Sequence, residues 1–296
     1  MANWNDTDQR QGFGTVPRAG DAVARQETFD AGLRKHMLSI YNYMASGVLL
    51  TGIVALLTAR SGLAMTFASG PLMWIVALSP LAFVFAMSFG VNKFSKATLN
   101  IMFWAFATVM GLSLSTIFLV YTGESIAATF FATAGAFAGL SLFGYTTKKD
   151  LSGFGTFLVM GLSLSTIFLV YTGESIAATF FATAGAFAGL SLFGYTTKKD
   201  LSGFGTFLVM GLIGLLIAMV INIFLQSSTL ALAVSFIGVL IFAGLTAYDT
   251  QRLKREYQYL RGTEFAGKAI IMGALSLYLD FINMFLFLLR FMGNRE

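Results

Sequence analysis

Two aspartates are the residues of this sequence whose surroundings ask for a chemical explanation. Asp280 lies in Ser276-Leu-Tyr-Leu-Asp280-Phe-Ile-Asn283, inside an apolar run over 269–289. Asp249 closes the preceding apolar run in Ala247-Tyr-Asp249-Thr-Gln-Arg252. An unpaired charge at the centre of a bilayer costs at least about 2.5–3.5 kcal/mol, so an ionisable group there faces a partner or a polar path rather than lipid. At 1.5 Å of rise per residue, Asp280 stands roughly 16 Å from the start of its helix, near mid-membrane. A short basic loop joins the two runs, so their helices are antiparallel neighbours and the acidic faces can meet. Two carboxylates close together in low dielectric do not both ionise easily; they share a proton and titrate as a pair. The chemistry this points to is proton sensing or cation binding. The plainer alternatives are an inter-helix hydrogen bond for Asp280 and a solvated helix end for Asp249.

The elements that must position this pair are membrane helices. The chain is 56% hydrophobic and 11% charged, against about 25% charged in soluble domains, which excludes a domain solvated on every side. Apolar runs long enough to cross a bilayer, uncharged but for Asp280, lie over 37–59, 71–91, 98–121, 125–145, 151–171, 175–195, 201–225, 229–248 and 269–289. The expected fold is therefore all-α, a polytopic transmembrane helical bundle of nine helices. A polar, mixed-charge stretch over 1–36 reads as a disordered cytoplasmic tail, 37–292 as the membrane domain and 293–296 as a short C-terminal tail. The absence of cysteine excludes disulfides, thiol catalysis and cysteine–zinc sites. His36, the single histidine, flanks the first span, so no metal site and no cofactor is expected.

Two of the nine spans come from a tandem repeat. Residues 111–160 and 161–210 are identical, and at an offset of fifty the identity extends from Val109 to Leu162. Repeats shaped by long selection diverge; this one reads as a recent in-frame duplication or a joining error at the shared Val-Met-Gly-Leu. Its boundaries fall inside helices, so 151–171 is a chimera of the start of one span and the end of another. Two extra crossings leave every later helix in its original orientation. Lys93, Lys96, the pairs Lys148/Lys149 and Lys198/Lys199, and Arg252, Lys254, Arg255 and Arg261 then fall on one side, with the opposite loops nearly bare. By the positive-inside rule that side and the N-terminus are cytoplasmic. The net charge of +5 is thus topological, and no nucleic-acid partner is implied.

GLSLSTIFLVYTGESI, the GYTTKKDLSG loop, GLTAYDTQRLK and ALSLYLDFINMFLFLLR together resemble the Bax inhibitor-1 family of bacterial membrane proteins, also called the transmembrane Bax inhibitor motif family. The resemblance covers about 37–292 and is most specific in the C-terminal half. It implies seven helices with the last at the centre of the bundle, in the bacterial inner membrane. Some members behave as pH-sensitive calcium leak channels gated by an aspartate pair, which maps by motif onto Asp249 and Asp280. The family's basic partner on the second helix has no match in 71–91, which holds no Lys or Arg; Lys93, at the end of that helix, is the substitute. Nine helices also depart from the family pattern.

Three functional classes follow. A proton-gated leak for calcium or another cation is the leading expectation, non-enzymatic and with the bilayer as its surroundings. A non-transporting regulator or binding partner of other membrane proteins, such as a membrane protease, is the alternative. An intramembrane aspartyl protease is remote, because Leu277-Tyr-Leu-Asp280 lacks the Gly-x-Gly-Asp of such enzymes and no Pro-Ala-Leu follows.

Overall fold

The computed structural model describes residues 19–67, 70–116 and 175–292, and every element among them is an α-helix. In chain order these are α1 (Ala19–Arg60), α2 (Leu63–Phe67), α3 (Gly70–Gly90), α4 (Lys96–Leu114), α5 (Ser175–Thr196), α6 (Ser202–Leu225), α7 (Ser228–Leu260) and α8 (Ala266–Met292). Helices α1, α3, α4, α6, α7 and α8 are long and apolar enough to cross a membrane. The all-α bundle expected from hydropathy is the observed architecture. The expected spans over 125–145 and 151–171 lie outside the described residues, so α5 is the second copy of the duplicated helix.

Helix α8 packs against α1, α4, α5 and α7, and its side chains are buried on nearly every face. Ile271, Ala274, Leu277, Tyr278, Phe281 and Met284 have no exposed surface. Lipid is as apolar as leucine, so this packing is driven by close van der Waals fit and interhelical hydrogen bonds rather than by escape from water. The Tyr278 ring meets Phe106 edge-on at 5.1 Å. Its hydroxyl is 2.6 Å from Thr51 Oγ1, which donates onward to the Ala107 carbonyl at 2.7 Å, tying α8, α1 and α4 together. Two glycines let one helix approach the backbone of another. A Cβ on Gly111 would stand 2.6 Å from the Thr51 carbonyl oxygen, and one on Gly194 of α5 would collide with the Ala247 carbonyl of α7.

Two helices run further than hydropathy alone predicts. The stretch expected as a disordered tail is helical from Ala19, because Leu33, Met37 and Ile40 recur at helical spacing and are buried. Phe29 and His36 continue that stripe onto Tyr257 of α7, at ring distances of 5.5 and 5.1 Å. The penultimate span, expected to stop at Tyr248, continues through Asp249 to Leu260. Burial of Gln251 and Leu253 and an i,i+4 approach of Arg252 to Glu256 at 3.4 Å support the added turns.

Candidate functional site

Because α7 continues, Asp249 is not a solvated helix end. It lies within the helix, 5% exposed, and Asp280 is 6% exposed on α8. Three groups converge on Asp249. Arg252, three residues on and so on the same helix face, places Nη1 3.2 Å from Oδ1 and donates from Nη2 to Oδ2 at 3.3 Å. The hydroxyl of Ser276 on α8 donates to the same Oδ2 and accepts from Arg252 Nη2 at 3.1 Å. Asp249, Arg252 and Ser276 thus form a closed, charge-assisted triangle across the α7–α8 interface.

Asp280 is arranged differently. Ser276 precedes it by four residues, so the two share a face of α8. The charges of Asp249 and Arg252 act on it. Its Oδ2 is fully buried and has no hydrogen-bond partner. A buried polar atom of this kind needs a proton, a cation or an ordered water to be tolerated. The structure therefore brings the two predicted aspartates to one interface but gives only Asp249 a full set of partners.

Lys93 is not brought there. It is exposed in the turn between α3 and α4, with its backbone N–H donating to the Gly90 carbonyl at 2.9 Å. The cation beside the pair is Arg252, and the hydroxyl is Ser276. Sequence reading passed over both, reading Arg252 as a loop residue. Their i,i+3 and i,i+4 spacing to the aspartates carries the signal once α7 is known to continue.

Other polar and basic residues at this end join helices to one another. Gln251 donates to the Lys199 carbonyl at 2.7 Å and accepts from the Leu201 N–H at 2.9 Å. Lys254 donates to the Tyr195 carbonyl at the end of α5, at 2.8 Å. Lys268 donates to the Val91 carbonyl at 3.1 Å. Arg255 meets Asp200 at 2.6 Å. The carboxyl of Asp200, in the α5–α6 connection, is lowered to about 2, first by hydrogen bonds from the Ser202 hydroxyl and N–H and then by Arg255.

The sequence model of the family described as "Inhibitor of apoptosis-promoting Bax1" matches this chain twice, over residues 33–163 and 156–296. The chain belongs to the Bax inhibitor-1 family. The double match reflects the internal repeat, since the family pattern re-enters inside the duplicated segment. A Caulobacter vibrioides protein is 40% identical over 280 residues, covering 90% of this chain and 92% of the relative. The inner membrane protein YbhL of Escherichia coli K12 is 38% identical over 270 residues, covering 90% and 94%. A membrane protein of Streptococcus pyogenes is 31% identical over 271 residues, covering 90% and 96%. No solved structure matches the chain. This is a multi-pass membrane protein of the Bax inhibitor-1 family, and none of these names carries an enzyme activity. The central last helix that the family resemblance implies is α8.

Proposed function

We propose that this Bax inhibitor-1 family protein is a pH-sensitive cation leak, with calcium the leading ion and the pair Asp249–Asp280 as its proton sensor. The observation that carries the reading is the contrast within the pair. Asp249 is held by Arg252 and Ser276, whereas Asp280, buried in the central helix, has an oxygen with no partner. With a proton on Asp280, the charges of Asp249, Arg252 and Asp280 sum to zero, while Glu256, 41% exposed, meets Arg252 from the next turn of α7. Without it, the site carries one excess negative charge in low dielectric, which a cation can neutralise. A change of protonation thus changes both the affinity of the site for cations and the repulsion across the α7–α8 interface. The role in this reading is non-enzymatic, with both oxygens of Asp249 engaged by Arg252 and Ser276. The basic end, with Lys93, Lys96, Arg252, Lys254 and Arg255, faces the cytoplasm of a bacterial inner membrane, and the N-terminus lies on that side.

The test is calcium entry into liposomes holding the purified chain, measured across neutral pH beside Asp280→Asn. The expected result is a pH-dependent flux whose dependence the substitution removes. A folded wild-type chain that passes no calcium at any pH, and that instead co-purifies with a membrane partner, would overturn the leak in favour of a regulatory role.

A further inference from the structure

Arg252 meets two carboxylates at once, and unequally. Toward the bundle interior both of its Nη atoms reach Asp249, at 3.2 and 3.3 Å. Toward the loop end of α7 its Nε stands 3.4 Å from Glu256 Oε1, buried and without a completed hydrogen bond. Asp249 is buried, whereas Arg252 and Glu256 are partly exposed. Glu256 lies one turn beyond Arg252 on the same face of α7. The Tyr248 ring centre is 6.0 Å from the guanidinium, and an aromatic face tolerates a cation. One guanidinium thus spans a buried carboxylate and a wet one.

We propose that Arg252 is a tethered competitor for the entering cation and that Glu256 is its second seat. This rests on the reading of Asp249 and Asp280 as the cation site, but not on ions crossing the membrane. Calcium takes six to eight oxygen ligands, carboxylates foremost. Both oxygens of Asp249 are taken by Arg252, and like charges repel strongly in low dielectric. The guanidinium and a divalent cation therefore exclude one another at Asp249. A cation arriving at Asp280 Oδ2, the oxygen without a partner, drives the guanidinium off Asp249 toward Glu256, which is already within ion-pair reach. Arg252 stays neutralised during the exchange, and the cation gains a second carboxylate. When the cation leaves, the guanidinium returns. A partly exposed ion pair shifts such an exchange by only about two- to fivefold, so Glu256 biases it and Arg252 dominates it.

The test is equilibrium binding of radiolabelled calcium to the full chain in lipid nanodiscs, beside calcium flux in liposomes. Arg252→Gln should tighten calcium binding about tenfold or more, the worth of a charged hydrogen-bonded competitor. Glu256→Gln should weaken it about two- to fivefold and should have no effect once Arg252 is Gln, because Glu256 acts through Arg252. Arg252→Lys keeps the charge without the two-pronged contact; it should tighten binding less, and it serves if Arg252→Gln does not fold. A Glu256→Gln effect that persists at full size without Arg252 makes Glu256 a direct attractor of the ion and overturns the proposal. A working leak whose calcium affinity is the same in wild type and folded Arg252→Gln overturns the proposal and keeps the leak. Tighter binding in Arg252→Gln by a chain that passes no calcium rejects the leak and keeps the competition. No calcium binding in any variant rejects both.

Discussion

Helices α6 and α8 are both long apolar segments, yet they occupy opposite environments. Helix α6 holds no ionisable residue and turns Phe207, Ile223 and Phe224 outward, with only Gly205, Leu208 and Leu215 buried. Helix α8 carries Ser276, Tyr278 and Asp280 and is buried throughout its middle. In water the more apolar helix would be the core. In lipid the order inverts, because apolar surface gains nothing by leaving hydrocarbon while a hydroxyl or carboxylate must find protein partners. The polar residues of α8 are thus the reason for its central place. The purely apolar helix is free to be the outer wall.

That contrast can be broken most forcefully by truncation. Tyr278→Ala removes a fully buried ring together with its hydrogen bond to Thr51 and should cost about 3–5 kcal/mol. Phe224→Ala, at an 82% exposed position on α6, should stay within about 0.5 kcal/mol of wild type. Thermal unfolding in one detergent compares the two. Close approach gives the next effect. Gly194→Ala drives a Cβ into the Ala247 backbone and should cost about 1–3 kcal/mol or more, whereas the Cβ of Gly214→Ala on α6 meets nothing within 4 Å and should cause no loss in the same assay.

Ser276→Ala sharpens the comparison at the site itself. It removes the α8 donor from Asp249, at a cost of about 1–3 kcal/mol for a buried acceptor left short of a partner. The pH profile of flux should shift, and Ser276→Thr should restore it. The smallest effect belongs to the exposed staple. The depressed carboxyl of Asp200 (about 2) means that its contribution is fully present above the ordinary carboxylate range and is lost as pH falls through about 2. Stability near neutral pH should therefore not vary through this group, and Asp200→Asn should barely move the Tm.

The spans of α3 and α6 are legible in the sequence because nothing but hydropathy decides them. The aspartate pair is legible because a carboxylate in a membrane run is expensive. The extension of α7 is not. Hydropathy falls after Tyr248, and the helix persists because its charges find partners: Arg252 at Asp249, Arg255 at Asp200 and Lys254 on the Tyr195 carbonyl. Without that extension Arg252 reads as a loop residue and Lys93 as the nearest cation. The tail hides its helix similarly, since Phe29 and His36 pack on Tyr257, a residue far along the chain. The duplication leaves α7 and α8 intact because Asp249 and Asp280 lie beyond it. Since its copies are identical, removing either one yields the same polypeptide.

The most direct test of the central claim is calcium flux across neutral pH in liposomes holding the full chain, wild type beside Asp280→Asn and Asp249→Asn. A flux whose pH dependence disappears in Asp280→Asn and is altered in Asp249→Asn is the predicted result. A pH-dependent flux that both substitutions leave unchanged, in chains that unfold at the wild-type temperature, would contradict it.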